Sequence, residues 1–214
     1  VTINVRSAVK SGDPSTSFNC YTAPAGTLPG DLLLGLHFGL VAGGNTVAGM
    51  TGPSGFTQVG STYADNDCII KVWKAPGTTA TPYTFGGVGI GAAGVLAIDQ
   101  TNVSTPIHIF PQYNSGTEID AQIAPSVVPT IPAFLLICGW CCTQGSVPSY
   151  SPAWGMTENV DFTDGSTPFT ITVNSQVFSD IFSYANQPTG TKCAKPGGTE
   201  GSTRYASVTL VVSP

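Results

Sequence analysis

"FTITVNSQVF", residues 169–178, decides the fold class. Phe169, Ile171 and Val173 fall on one side of an extended chain, and Thr170, Thr172 and Asn174 fall on the other. A period of two built from β-branched residues is a strand signal, not a helical one. The Gly- and Pro-free stretch around it, 170–187, keeps this alternation and shows no 3.6-residue period. "TINVRSAV" (2–9) and "TRYASVTLVV" (203–212) read the same way. Pro-Gly, Ser-Gly and Gly-Gly pairs punctuate the chain about every ten residues, the spacing of a sandwich or barrel. The expected fold is all-β: a two-sheet β-sandwich, jelly-roll or lectin-like, forming one domain over 1–214.

An internal echo runs through this pattern. "PGDLLLGLHFG" (29–39), "GPSGFTQVG" (52–60), "CIIKVWKAP" (68–76) and "AAGVLAID" (92–99) follow one another in the first half. "IPAFLLICGWC" (131–141), "YSPAWGMTENV" (150–160), "DIFSYANQP" (180–188) and "RYASVTLVV" (204–212) follow in the second. Both series run from an apolar strand to a Pro-small-aromatic corner, an aromatic strand and a β-branched strand. The echo suggests pseudo-repeats over about 1–110 and 111–214, with "LLLGLHF" matching "FLLICGW" and Phe56 matching Trp154. Two such sheets, face to face, would bury both apolar faces.

Composition narrows the function classes. Only 9% of the residues are charged, against roughly 25% in ordinary soluble domains. A hydrophobic fraction of 41%, with ten Phe, seven Tyr and three Trp, is too high for a disordered chain. No apolar run reaches the roughly 18 residues of a spanning helix, so no membrane insertion is expected. The net charge is −5, and the seven basic residues are scattered. Phosphate tracking needs clustered Lys and Arg, so nucleic acid is not an expected partner. Val1 reads as the start of a mature chain, after methionine removal or trimming of an upstream signal.

The strongest chemical signal is Cys138-Gly139-Trp140-Cys141, with the C-x-x-C spacing of redox and zinc sites. Such a pair acts together only where a turn or helix end brings both sulfurs to one point. Here the motif continues an apolar strand. Alternation puts Cys138, Trp140 and Cys142 on one face and Cys141 on the other. Cys138 and Cys142 would lie roughly 13 Å apart, four residues at about 3.3 Å each. The cysteines are therefore expected as small buried hydrophobes, with a disulfide involving Cys193, Cys20 or Cys68 as the alternative.

Other candidates are thin. Ser54 in "GPSGF" lacks the spacing of a nucleophile elbow. His37 and His108 sit in apolar strands and read as packing residues, not bases. A glycosidase needs two carboxylates facing one cleft; the chain has three Glu (118, 158 and 200) and Asp99 at a strand end. "DND" at 65–67 reads as a turn, not a calcium loop. Asn102-Val103-Ser104 is a formal glycosylation sequon. No catalytic residue, metal ligand or cofactor is expected. Tyr113, Tyr150 and Trp154 lie in loop-like stretches and are the candidate glycan contacts, since an aromatic face can stack on a sugar ring.

The first half also resembles a domain of tailed-bacteriophage virion proteins. The residues that carry the resemblance are Gly30-Asp31-Leu32-Leu33-Leu34, Pro53-Ser54-Gly55-Phe56, Lys71-Val72-Trp73, Tyr83-Thr84-Phe85 and Ile98-Asp99. Phe56 stands where that family usually has Trp. The resemblance covers about residues 1–110, and the second half only through the echo. It implies a structural protein on the virion surface, either a capsid decoration (cement) protein or a tail or fibre component, and no catalytic site. The chain lacks the repetitive shaft or coiled-coil trimeriser of many fibres, which favours the decoration role. Expected partners are other virion proteins and further copies of the chain, a trimer above all, packed through sheet edges or "IAPSVVPTIP" (123–132). A host-surface glycan is a further candidate partner. The alternative is a carbohydrate-binding module of a secreted or surface protein, with an extracellular location.

Overall fold

The computed structural model describes residues 3–13, 17–20, 22–41, 44–87, 89–99, 101, 104–117, 122–143, 149–163, 169–178, 185–196 and 204–214. Among them there is no α-helix, and the regular structure is strand throughout. The first half forms β1 (Val5–Asp13), β2 (Ser17–Cys20), β3 (Leu32–Leu40), β4 (Thr57–Ala64), β5 (Cys68–Pro76), β6 (Tyr83–Gly86) and β7 (Gly91–Ile98). The second forms β8 (Ile107–Gly116), β9 (Gln122–Ala124), β10 (Phe134–Thr143), β11 (Tyr150–Ser151), β12 (Thr157–Thr163), β13 (Phe169–Phe178), β14 (Lys192–Pro196) and β15 (Arg204–Val212).

Two five-stranded antiparallel sheets face each other, in the orders β1-β7-β3-β5-β4 and β12-β13-β10-β15-β8. The chain completes one sheet before it starts the other. The sandwich is the expected one. Its connectivity differs from a jelly roll, whose two Greek keys wind across both sheets.

Reading the second sheet from its other edge gives β8-β15-β10-β13-β12, which is the first order with each strand replaced by its counterpart. The small sheets correspond as well: β2-β6 carries an added bridge between Thr51 and Gly86, and β9-β14 carries β11. At the flanks, Lys10 of β1 donates to the Asp161 carbonyl of β12. Tyr63 of β4 stacks on Tyr113 of β8 at 5.4 Å. So β1 lies along β12 and β4 along β8, the arrangement of two halves related by an approximate two-fold.

Topology replaces the third member of the echo: the counterpart of β5 is β13 (Phe169–Phe178), not 180–188, of which 180–184 lie outside the described residues. Register also corrects the echo by one residue. Leu32 faces Ile98 and Pro76, whereas Leu135 faces Val212 and Val177. "LLLGLHF" therefore matches "LLICGWC". A one-residue slip exchanges the two faces of a strand, and two uniformly apolar runs conceal it.

Between the sheets lies the main core. Leu32, Leu34, Leu36, Phe38 and Leu40 of β3 meet Leu135, Ile137 and Cys141 of β10, with alternate residues of the neighbouring strands. The outer faces are buried too. Leu33, Trp73, Ala93 and Val95 lie with Tyr83 and Phe85 of β6. Leu136, Cys138, Trp140 and Cys142 lie with Tyr150 of β11, Ala194 of β14 and Ala124 of β9. Small sheet, large sheet, large sheet, small sheet is the order of layers.

Gly139 marks a tight inter-sheet approach at the centre of the sandwich. A Cβ there would stand 2.9 Å from Leu36 Cδ2 and from Phe38 Cζ. Gly139→Val is expected to destabilise by about 1–3 kcal/mol through overpacking, read as a lower denaturation midpoint. An unchanged midpoint would mean that the sheets are not packed this closely.

Candidate functional site

The C-x-x-C segment is interior. Cys138, Cys141 and Cys142 are fully buried free thiols, on the faces that alternation assigns them. Cys138 Sγ lies 3.5 Å from Thr209 Oγ1, and Cys141 Sγ donates to the Ala206 carbonyl at 3.6 Å. Burial pushes the thiol of Cys138 up to about 12 and that of Cys142 up to about 11. Cys141 is raised well above its ordinary value, first by burial and then by Cys68. Thiols held protonated are poor nucleophiles and poor metal ligands. Cys68 and Cys193 are also free, and only Cys193 of these five is exposed.

The three candidate glycan contacts do not converge. Tyr150 is buried in the outer cluster of the second sheet, and its hydroxyl donates to Gln122 Oε1. Tyr113 is half-buried against Tyr63, and its hydroxyl donates to the Ser61 carbonyl at 2.7 Å. Neither ring offers a free face of the kind a sugar needs. Trp154 alone is open, 94% exposed.

Trp154 also corrects the expected match with Phe56. The Phe56 amide donates to the Pro53 carbonyl and the Met156 amide to the Ala153 carbonyl. Gly55 and Gly155 follow at φ +80° and +75°. Both corners are type II turns, which need Gly at their third position. Phe56 and Met156 therefore correspond, each half-buried against its outer cluster, and Trp154 corresponds to Ser54. Trp154 is an exposed turn tip.

The two halves differ where β3 and β10 begin. In the first, Arg6 Nε and Nη2 donate to both carboxylate oxygens of Asp31 at 3.0 and 3.2 Å, and Asp99 lies 3.7 Å from the same guanidinium. Asp31 also accepts the Leu28 amide at 2.8 Å. Register places His108, Phe134 and Ser213 at the corresponding positions of the second half. There the ions are gone. A groove of about 370 Å³ opens beside His108, walled by Ile107, Ile131, Pro132, Ala133 and Pro214. His108 Nε2 accepts the Thr130 amide at 3.1 Å. A second groove, of about 240 Å³, lies at the same end between Leu32, Thr57, Lys74 and Pro106.

The remaining candidates are structural. His37 is buried, 5.1 Å from the Phe85 ring, and burial lowers its pKa to about 3, with Lys71 adding to the shift. Lys71 donates to the Met50 carbonyl at 2.8 Å and lies 5.7 Å from the centre of the Trp73 ring. Asp65 accepts the amides of Asp67 and Cys68, closing the turn expected of "DND", and Asp67 holds Arg204 at 2.7 Å. Glu158 and Asp161 share β12 and are both raised, chiefly by burial. Glu118, Glu200 and the Asn102-Val103 part of the sequon lie outside the described residues. Among the described residues no cluster of His, Cys, Asp or Glu is arranged to hold a metal. Among the described residues no helix is long and apolar enough to cross a membrane.

Compared with known proteins, the chain gives no significant match to a family model, a curated sequence or a solved structure.

Two measurements test this geometry. Site-resolved alkylation of the native protein should modify Cys193 and spare Cys68, Cys138, Cys141 and Cys142 until it unfolds. Rapid native labelling of Cys138 would contradict their burial. The second measurement concerns His37, whose folded pKa lies below the unfolded value near 6.5. Below pH 6.5 the unfolded chain takes up a proton that the folded chain refuses. The His37 contribution is therefore present above that pH and is lost as pH falls towards 3. Between pH 7 and 4.5 the loss is about 2–3 kcal/mol. Urea unfolding at both values should show it, and His37→Leu should reduce the difference by that amount.

Proposed function

We propose that the protein is a structural component on the surface of a tailed-bacteriophage virion, a capsid decoration (cement) protein ahead of a tail or fibre component. It works there as a homo-oligomer, a trimer in this reading, against other virion proteins. The observation that carries the proposal is the use of the residues behind the phage resemblance. Asp31 and Asp99 hold Arg6, Pro53 to Phe56 make a corner, Lys71 and Trp73 fill an outer face, and Tyr83 and Phe85 are buried. Each serves architecture. A low charge content also suits close packing among neighbouring subunits, and the reading includes no catalytic step.

One observation favours the second reading, a carbohydrate-binding module outside a cell: Trp154 stands open on a rigid turn. Tyr113 and Tyr150 do not join it, so a glycan would have one aromatic platform, not a cleft. The virion reading is therefore preferred.

Particles assembled without this protein should lose resistance to heat and osmotic shock if it is cement. Normal particle stability with failed adsorption would move it to the tail. Glycan binding by the isolated chain, abolished by Trp154→Ala, with no association to particles, would replace the virion reading by the second one.

A further inference from the structure

We propose that the groove beside His108 receives the indole of Trp154 from a second copy of the chain. The fold itself does not require that indole. Its corner is a type II turn that needs only Gly155, and the matching turn carries Ser54 in the same place. A side chain of this size, 94% exposed, is an anchor without its pocket.

The receiving site is found by the same comparison. In the first half, Arg6 with Asp31 and Asp99 occupies the end of the sheet. In the second half, Phe134 turns inward to stack on Phe178 at 4.6 Å, and the end is left open. Its walls are Ile107, Ile131, Pro132, Ala133 and Pro214, with the flat ring of His108 beside them. Among the described residues its side-chain lining is apolar or uncharged apart from the His108 imidazole, which fits an aromatic group.

Knob and groove do not meet within one chain. Trp154 precedes β12 and is 94% exposed, whereas the groove runs from the start of β10 to β8, two to four strand spacings or roughly 10–19 Å away. The contact is between copies. It joins two different patches, a head-to-tail pairing that closes into a ring when the rotation allows. The end's ion pairs are satisfied internally and the net charge is only −5, so copies meet with little repulsion. The contact does not rest on a virion location, because it forms in the isolated protein.

The test uses the full chain. Trp73 and Trp140 are buried, so red-shifted, quencher-accessible emission reports Trp154. Raising the concentration should shift that emission to the blue, protect it from acrylamide and increase the sedimentation coefficient together. Trp154→Ala, which removes the knob, and Ala133→Arg, which fills the groove, should each remain monomeric. Mixed, they should associate, since one supplies the groove and the other the knob. A wild-type chain that stays monomeric with Trp154 quenchable would overturn the proposal. So would oligomers that persist in Trp154→Ala, or a mixture that does not associate.

Discussion

The central strands have no polar face, and the rest of the structure depends on this. Every residue of β3 is buried, as is every residue of β10 before Thr143. An antiparallel sheet usually turns one face to water. Here neither large sheet can, so each needs a cover on both sides. The inner faces cover each other, and the outer faces are covered by β2-β6 and by β9-β14-β11. Apart from Lys71, charge is displaced to edges and ends, where Arg6, Lys10 and Arg204 tie separate elements together.

Burying so much sheet leaves polar side chains inside, and they fasten the covers. Trp140 Nε1 donates to the Gln122 carbonyl, and Ser207 donates to the Ile123 carbonyl. Both bonds join the second large sheet to β9. Lys71 does similar work on the first sheet by holding the Met50 carbonyl. Buried polar groups find partners because leaving them unpaired is costly. For Trp140, Ser207 and Lys71 those partners are backbone carbonyls of the covering layers.

Much of the fold was legible in the sequence. Alternation over 169–178 gave the strand, and the faces of Cys138, Cys141 and Cys142 followed from parity alone. The order of the echo was visible because each half needs the same succession of apolar strand, corner and closing strand. Its register was not, because an all-apolar run has no polar residue to mark its face. The small covering sheets escaped notice because β9 and β11 have three and two residues, too few for a period. The match of Trp154 to Phe56 failed for a related reason: aromatic identity was a weaker guide than the turn glycine. Tyr150 looked like a loop residue because its burial comes from a long-range pairing with β14. The Arg6 clasp and its missing counterpart became visible only when register aligned the halves.

Each half is one large sheet whose inner face only the other half can cover. Separate production of residues 1–103 and 104–214 tests this most directly. The fragments should be unstable or aggregated alone, and should combine one to one with recovery of the near-ultraviolet signal of buried Trp140. Two fragments that each fold as stable monomers and do not associate would contradict it.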